Sequence, residues 1–185
     1  MTSREDEFTA YADAASSGLL GTAFLLCGDW HTAEDLTQTT LAKLFASWHR
    51  IRDRDAVHAY ARRTLLNTYL IDCRRKLRRE VLTGDAGRLA DRAVESQNPE
   101  LRLALTDALA TLAPKARAVV VLRYWEDMSV DQVAALLGCT PGNVKSQSAR
   151  SLEKLRRLLD DPLASGASSN EESSGERGAR RARNG

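Results

Sequence analysis

Residues Met128–Leu155, MSVDQVAALLGCTPGNVKSQSARSLEKL, spell two helices separated by a sharp break. Ser129 can cap a helix in which Gln132 completes a capping box, and Val130, Val133, Ala134 and Leu137 then share one face at helical spacing. Gly138 suits the left-handed residue that ends such a helix. Thr140 can cap the next one, and Pro141 fits its first turn, where an amide proton would have no partner. In the second helix Val144, Ser148, Leu152, Leu155 and Leu159 form the inward face. That leaves Asn143, Lys145, Ser146, Gln147, Ala149 and Arg150 near the exposed start, and from Lys145 to Arg157 five basic residues face one acidic residue. Two-helix hairpins with a central glycine also occur in proteins that touch no nucleic acid. Here the short turn, the double cap and the local charge favour a DNA-binding helix-turn-helix.

Working outward, strand signals are nearly absent. The β-branched run Val119–Val121 follows a Pro114 start and reads as buried helix, and Leu101, Leu105, Leu109 and Leu112 mark another helix before it. In the first half, Leu19, Ala23, Leu26 and Trp30 make one stripe. Leu41, Leu44, Phe45 and Trp48 make a second, and Leu66, Tyr69, Leu70 and Cys73 a third. The expected fold is all-α: a helical domain over 1–79, a flexible polar linker over 80–99 and a second helical domain over 100–160. The Ser-, Gly- and charge-rich tail, 161–185, lacks core-forming residues and is expected to be disordered.

The 185 residues carry 27 basic and 25 acidic side chains, a formal charge of +2, so any attraction to nucleic acid must be local. It is concentrated between Arg50 and Arg79, where ten Arg or Lys face Asp53, Asp55 and Asp72. On a helix starting near Val57, the spacing of Tyr60, Arg63 and Asn67 projects a ring, a cation and an amide from one side. That trio suits an unstacked base, with Arg74, Arg75, Lys76, Arg78 and Arg79 following phosphates. The plainer alternative is a solvated helix with Tyr60 packed on its own domain. Before it, Asp35, Gln38 and Thr39 occupy the polar side of a helix, a pattern that fits either solvation or docking of a partner.

Nothing in the chain spells catalysis. There is no glycine-rich phosphate loop and no convincing Ser/His/Asp set, so no enzyme activity and no cofactor are expected. Cys27, Cys73 and Cys139 are isolated, and His31, His49 and His58 lack zinc-site spacing, so no metal is expected. The start, MTSREDEFTA, is unlike a signal peptide and no run approaches transmembrane length, which favours a cytoplasmic protein with no membrane insertion.

In this order the segments AEDLTQTTLAKLF, YARRTLLNTYLIDCRRKLRR and LAPKARAVVVLRYWEDMSVDQVAALLGCTPGNVKS resemble regions 2.2, 2.3 to 2.4 and 4 of extracytoplasmic-function sigma factors of bacterial RNA polymerase, in particular the actinobacterial SigE-like family. The resemblance covers nearly everything from Phe8 to Leu159. It implies that Asp35, Gln38, Thr39 and Leu41 bind the core polymerase (its beta and beta-prime subunits). It also implies that Arg50, Arg52 and Arg54 belong to a specificity loop, and that Tyr60, Arg63, Asn67, Arg74, Arg75 and Arg78 hold the melted -10 element of promoter DNA. Thr140, Asn143, Lys145, Ser146, Gln147, Ala149 and Arg150 would grip the -35 duplex. Asn67 and Asp72 match the family's NxxxxD pattern. Thr39 stands where many relatives have Glu, Gln147 where many have Arg, and Ala149 lacks bulk that some use. Relatives are commonly held by an anti-sigma factor, and the apolar faces and the flexible linker are compatible with such a partner wrapping the two domains.

Two other readings remain open at this level. A stand-alone helix-turn-helix regulator would bind a two-fold symmetric duplex site without polymerase. A nucleic-acid-processing enzyme has only the basic segment in its favour.

Overall fold

The computed structural model describes residues 3–51, 53, 56–83 and 99–160, and among them the regular structure is entirely helical. Helix α1 (Arg4–Cys27) opens with a Ser3/Asp6 capping box and ends at Gly28, whose φ of 76° is the left-handed conformation a glycine adopts without strain. Asp29 then caps α2 (Trp30–Ser47) by accepting from the Thr32 amide at 2.8 Å. The Leu19 to Trp30 stripe expected on one helix is therefore divided by this Gly-Asp break, and Trp30 folds back to stack on Phe24 with ring centroids 4.2 Å apart. A short 3-10 turn, Trp48–Arg50, leads toward α3 (Val57–Thr83), which continues through residue 79, where the first domain was expected to end.

Helices α1, α2 and α3 pack on one another around Leu19, Ala23, Leu26, Leu36, Leu44, Leu65 and Leu66. By length and composition α1 could cross a bilayer, contrary to the expectation that no run reaches that length. In the fold it is a core helix, with Ala15, Leu19, Ala23, Phe24, Leu26 and Cys27 buried. Phe45 departs from its expected inward stripe: it is 49% exposed and meets Phe8 edge-on at 4.9 Å. Leu41, Leu44 and Trp48 already fill the inner face, and Phe45 lies at its margin.

The second unit comprises α4 (Pro99–Ala110), α5 (Pro114–Val120), a π-helical turn over Val121–Trp125, α6 (Val130–Leu137) and α7 (Pro141–Asp160). In the π turn the Glu126 amide donates to the Val121 carbonyl at 3.1 Å, five residues back. Ala118, Val119, Leu122, Val133 and Val144 are buried between these helices. The two bundles expected from the sequence are docked, α1 touching α4, α5 and the π turn, and α3 touching α5. The expected linker, apart from α3's last residues and Pro99, and the expected tail lie outside the described residues.

Candidate nucleic-acid interface

The helix-turn-helix is built as its sequence spells it. Ser129 and Gln132 form the reciprocal capping box at 2.7 and 3.1 Å, and Gly138 takes φ 62°. The Asn143 amide donates to Thr140 Oγ1 at 3.2 Å, which fixes the first turn of α7. Val144, Ser148, Ser151 and Leu155 face inward. Asn143, Lys145, Ser146, Ala149 and Arg150 are exposed along the outer side, Thr140 is exposed at the cap, and Gln147 is half-buried. Ser146 Oγ donates to the Gly142 carbonyl at 2.8 Å and Arg150 Nε to the Ser146 carbonyl at 3.2 Å, so Lys145 extends from the helix beside partly tethered neighbours. A groove of about 520 Å³ beside this surface adds Arg123 and Arg156 to Lys145 and Ala149. These two cations were not among the expected DNA contacts. Arg123 precedes the helix-turn-helix and donates to the Met128 carbonyl, a fold-back that helical spacing does not show.

On α3, Tyr60, Arg63 and Asn67 are exposed together, while Ala61, Leu65, Leu66 and Tyr69 hold the opposite face in the core. Tyr60 is 39% exposed and its hydroxyl donates to Ser47 Oγ at 3.2 Å. The ring is thus anchored at its tip, combining elements of the base-stacking reading and the packed one. Arg74, Arg75 and Arg78 are exposed farther along; Arg74 Nε donates to the Leu70 carbonyl, and Arg75 pairs with Asp72 at 3.7 Å. Arg50 is exposed, its Nε 3.2 Å from His49 Nε2, and Arg52 and Arg54 lie outside the described residues.

The polar side of α2 presents Asp35, Gln38 and Thr39 to solvent. Leu41 does not join them: at 9% exposure it belongs to the core, because its position turns it toward the inner face with Leu44 and Trp48. The apolar side chain this face does offer is Phe45, seven residues after Gln38 and therefore on nearly the same side. A second apolar surface lies between the units, a groove of about 320 Å³ lined by Leu25, Leu105, Leu109, Tyr124, Trp125 and Leu159.

Burial pushes the Cys27 thiol up to about 12, with a smaller push from neighbouring Cys73 and an opposing pull from Arg117. Cys73 is raised mainly by burial as well, so neither thiol is poised as a nucleophile. Among the described residues no group of three His, Cys, Asp or Glu side chains could hold a metal ion.

Comparison with known proteins agrees with this architecture. The Sigma-70 region 2 family model matches residues 14–80 and the Sigma-70, region 4 model matches residues 102–155. The RNA polymerase sigma-E factor of Streptomyces coelicolor is 39% identical over 153 residues, spanning 83% of this chain and 86% of that protein. That of Streptomyces antibioticus is 40% identical over 156 residues, spanning 83% and 85%. Among solved structures, the sigma factor RpoE from Bartonella quintana, in complex with the anti-sigma factor NepR, matches with a TM-score of 0.73 at 24% identity. It covers 83% of this chain and 97% of that one, a likeness of fold. With both regions in order along one sequence and relatives alike over most of their length, the chain belongs to the sigma-70 family of RNA polymerase sigma factors, within the extracytoplasmic-function, SigE-like group.

Proposed function

We propose that this protein is an alternative sigma factor that joins the core RNA polymerase and directs it to promoters carrying a particular pair of elements. The observation that carries the reading is that two unlike surfaces, each with side chains suited to nucleic acid, stand exposed on one chain. The first is Tyr60, Arg63 and Asn67 in the first half of α3; the second is Asn143, Lys145 and Arg150 at the start of α7. The first suits single-stranded bases, through stacking and an amide that can hydrogen-bond a base edge; the second suits a duplex groove. Asp35, Gln38 and Thr39, with Phe45 beside them, form the mixed polar and apolar patch that would dock on polymerase. The protein contributes binding rather than bond-making chemistry, and it acts in the cytoplasm, where polymerase and chromosome meet. An anti-sigma factor, should one regulate it, would find cover in the apolar groove around Trp125.

Strand separation costs ~1.4 kcal/mol of stacking per base-pair step, so captured bases and polymerase contacts must offset it together. The test is run-off transcription with sigma-free core polymerase on host promoter fragments. New transcripts are expected with the intact protein, and Asn67→Ala and Lys145→Ala are each expected to reduce them by about 5- to 100-fold. Binding of a symmetric duplex without polymerase, and no transcripts, would replace this reading with that of a stand-alone regulator.

A further inference from the structure

Helix α7 ends beside an apolar groove. Its last turns supply Leu152, Leu155 and Leu159, and across from them stand Leu105 and Leu109 of α4 and Tyr124 and Trp125 of the π turn. Trp125 is 59% exposed, and Leu105, Tyr124 and Leu159 are exposed beside it, so the groove offers a connected apolar surface to water. Its volume of about 320 Å³ lies at the small end of ligand pockets, room for a few side chains rather than a folded partner. The described structure runs to Asp160, and residues 161–185 follow directly from the helix that forms one wall of the groove. In that stretch Leu163 is the sole large apolar side chain, and everything after Ala167 is Ser, Asn, Gly, Ala or charged. Leu163 also extends the spacing of Leu152, Leu155 and Leu159 by one more step of four residues. Pro162 keeps it from doing so as part of α7, because proline has no amide proton to give the helix and its ring clashes with the preceding turn.

We propose that Pro162–Ala164 turns back at the end of α7 and seats Leu163 in this groove, so that the protein covers its own apolar surface with its tail. The inference goes beyond the function proposed above and does not depend on it. Three residues beyond Asp160 reach at most ~11 Å, which spans the groove but falls far short of the start of α7, ~30 Å away along the helix. Because the segment is tethered at the groove's edge, closing so short a loop costs little, and its local concentration is on the order of millimolar. Proline has less freedom to lose in the turn than other residues. Charge favours the same path. Asp160 and Asp161 put two negative charges at the carbonyl end of α7, where the helix dipole disfavours them. Arg156 lines the groove, and the turn that seats Leu163 brings Asp161 toward it. A cover made by one leucine stays reversible. A partner with several apolar anchors displaces it, and that partner's apparent affinity is reduced by the fraction of protein that is covered.

Acrylamide quenching of tryptophan fluorescence in the full chain reads the cover directly. Trp48 is buried and Trp30 half-buried, so Trp125 is the most exposed indole, and Trp125→Phe in each background supplies the signal to subtract. Leu163→Glu and the uncharged Leu163→Ser should each raise quenching of Trp125 about twofold or more, the change expected when a surface covered at least half of the time is laid open. Leu163→Met keeps an apolar side chain and should stay at the level of the unaltered protein, as should Arg180→Ser with Arg181→Ser farther along the tail. The cover is overturned if Leu163→Glu and Leu163→Ser quench as the unaltered protein does. It is also overturned if the arginine variant opens the groove, since other tail residues would then be the occupant. Loss of Trp125 protection when the unaltered protein is diluted would overturn it too, in favour of a second copy of the chain. No polymerase enters these readings, so a failure in run-off transcription would count against the sigma reading alone.

Discussion

The two surfaces proposed to read DNA are held in opposite ways. In the second unit the reading side chains occupy the start of α7, and local chemistry defines that start: a Ser129 capping box, Gly138 in the left-handed region, Thr140 as cap and Pro141 in the first turn. In the first unit Tyr60, Arg63 and Asn67 are spread along the first three turns of the long helix α3. Their direction is set by Ala61, Leu65, Leu66 and Tyr69 pressed into the core behind them. A surface defined by caps can be specified by a few neighbours in sequence, whereas one spread along several turns depends on distant packing.

Substitutions can break this contrast. The largest effect is expected from Leu66→Ala, which leaves a cavity directly behind the α3 face; thermal or denaturant unfolding should show a loss of about 2 to 5 kcal/mol. Thr140→Ala should cost about 1 kcal/mol and weaken binding of -35 duplex, while a single-stranded -10 probe is bound as before. If that probe also suffers, the two surfaces are not separately built. Ser148→Ala sharpens the contrast from the other side. The hydroxyl is buried with no hydrogen-bond partner among the described residues, so its removal should stabilise the protein by up to about 1 kcal/mol in the same unfolding measurement. The smallest effect concerns Asp29. Hydrogen bonds from the Thr32 amide and hydroxyl hold its carboxyl below the ordinary 3.8. A carboxyl lowered on folding contributes stability that is fully present above 3.8 and lost as pH falls through its lowered value. Acid titration of Asp29→Asn beside the unaltered protein should therefore show the two stabilities converging below about pH 4, with a difference of under about 1 kcal/mol above it.

The same contrast explains what could be read without coordinates. The caps and the break of the helix-turn-helix were legible to the residue because caps and glycines are local signals, but Leu159, expected on the inward face, is exposed at the end of α7 and Ser151 is buried instead. Gly28 and Asp29 use the same signals, yet the apolar spacing from Leu19 to Trp30 masked the break, since Trp30 keeps helical register while belonging to the next helix. Phe45 was misplaced for a related reason. Periodicity finds a stripe, but which residues form its margins depends on the neighbouring helices, here on Phe8 meeting Phe45 and on how much room α1 and α3 leave. The docking of the units was illegible because Arg117, which donates to the Leu26 carbonyl, and Glu126, which accepts from Thr22, have no local pattern that pairs them. Only the docked units bring a glutamate to a threonine more than a hundred residues away.

The π turn at Val121–Trp125 makes chain length itself a variable here. A helix advances by about 100° per residue, and this turn accommodates one residue beyond the α-helical count. Deleting any one residue from it would let the segment relax into ordinary helix and swing Trp125 and Glu126 by roughly a quarter of a revolution, with no side-chain chemistry altered elsewhere. A surface loop would absorb the same deletion quietly. At this point gain or loss of a single codon would act like a change of wiring, and related proteins of different length in this turn should differ in how their halves meet even where the contacting residues are the same.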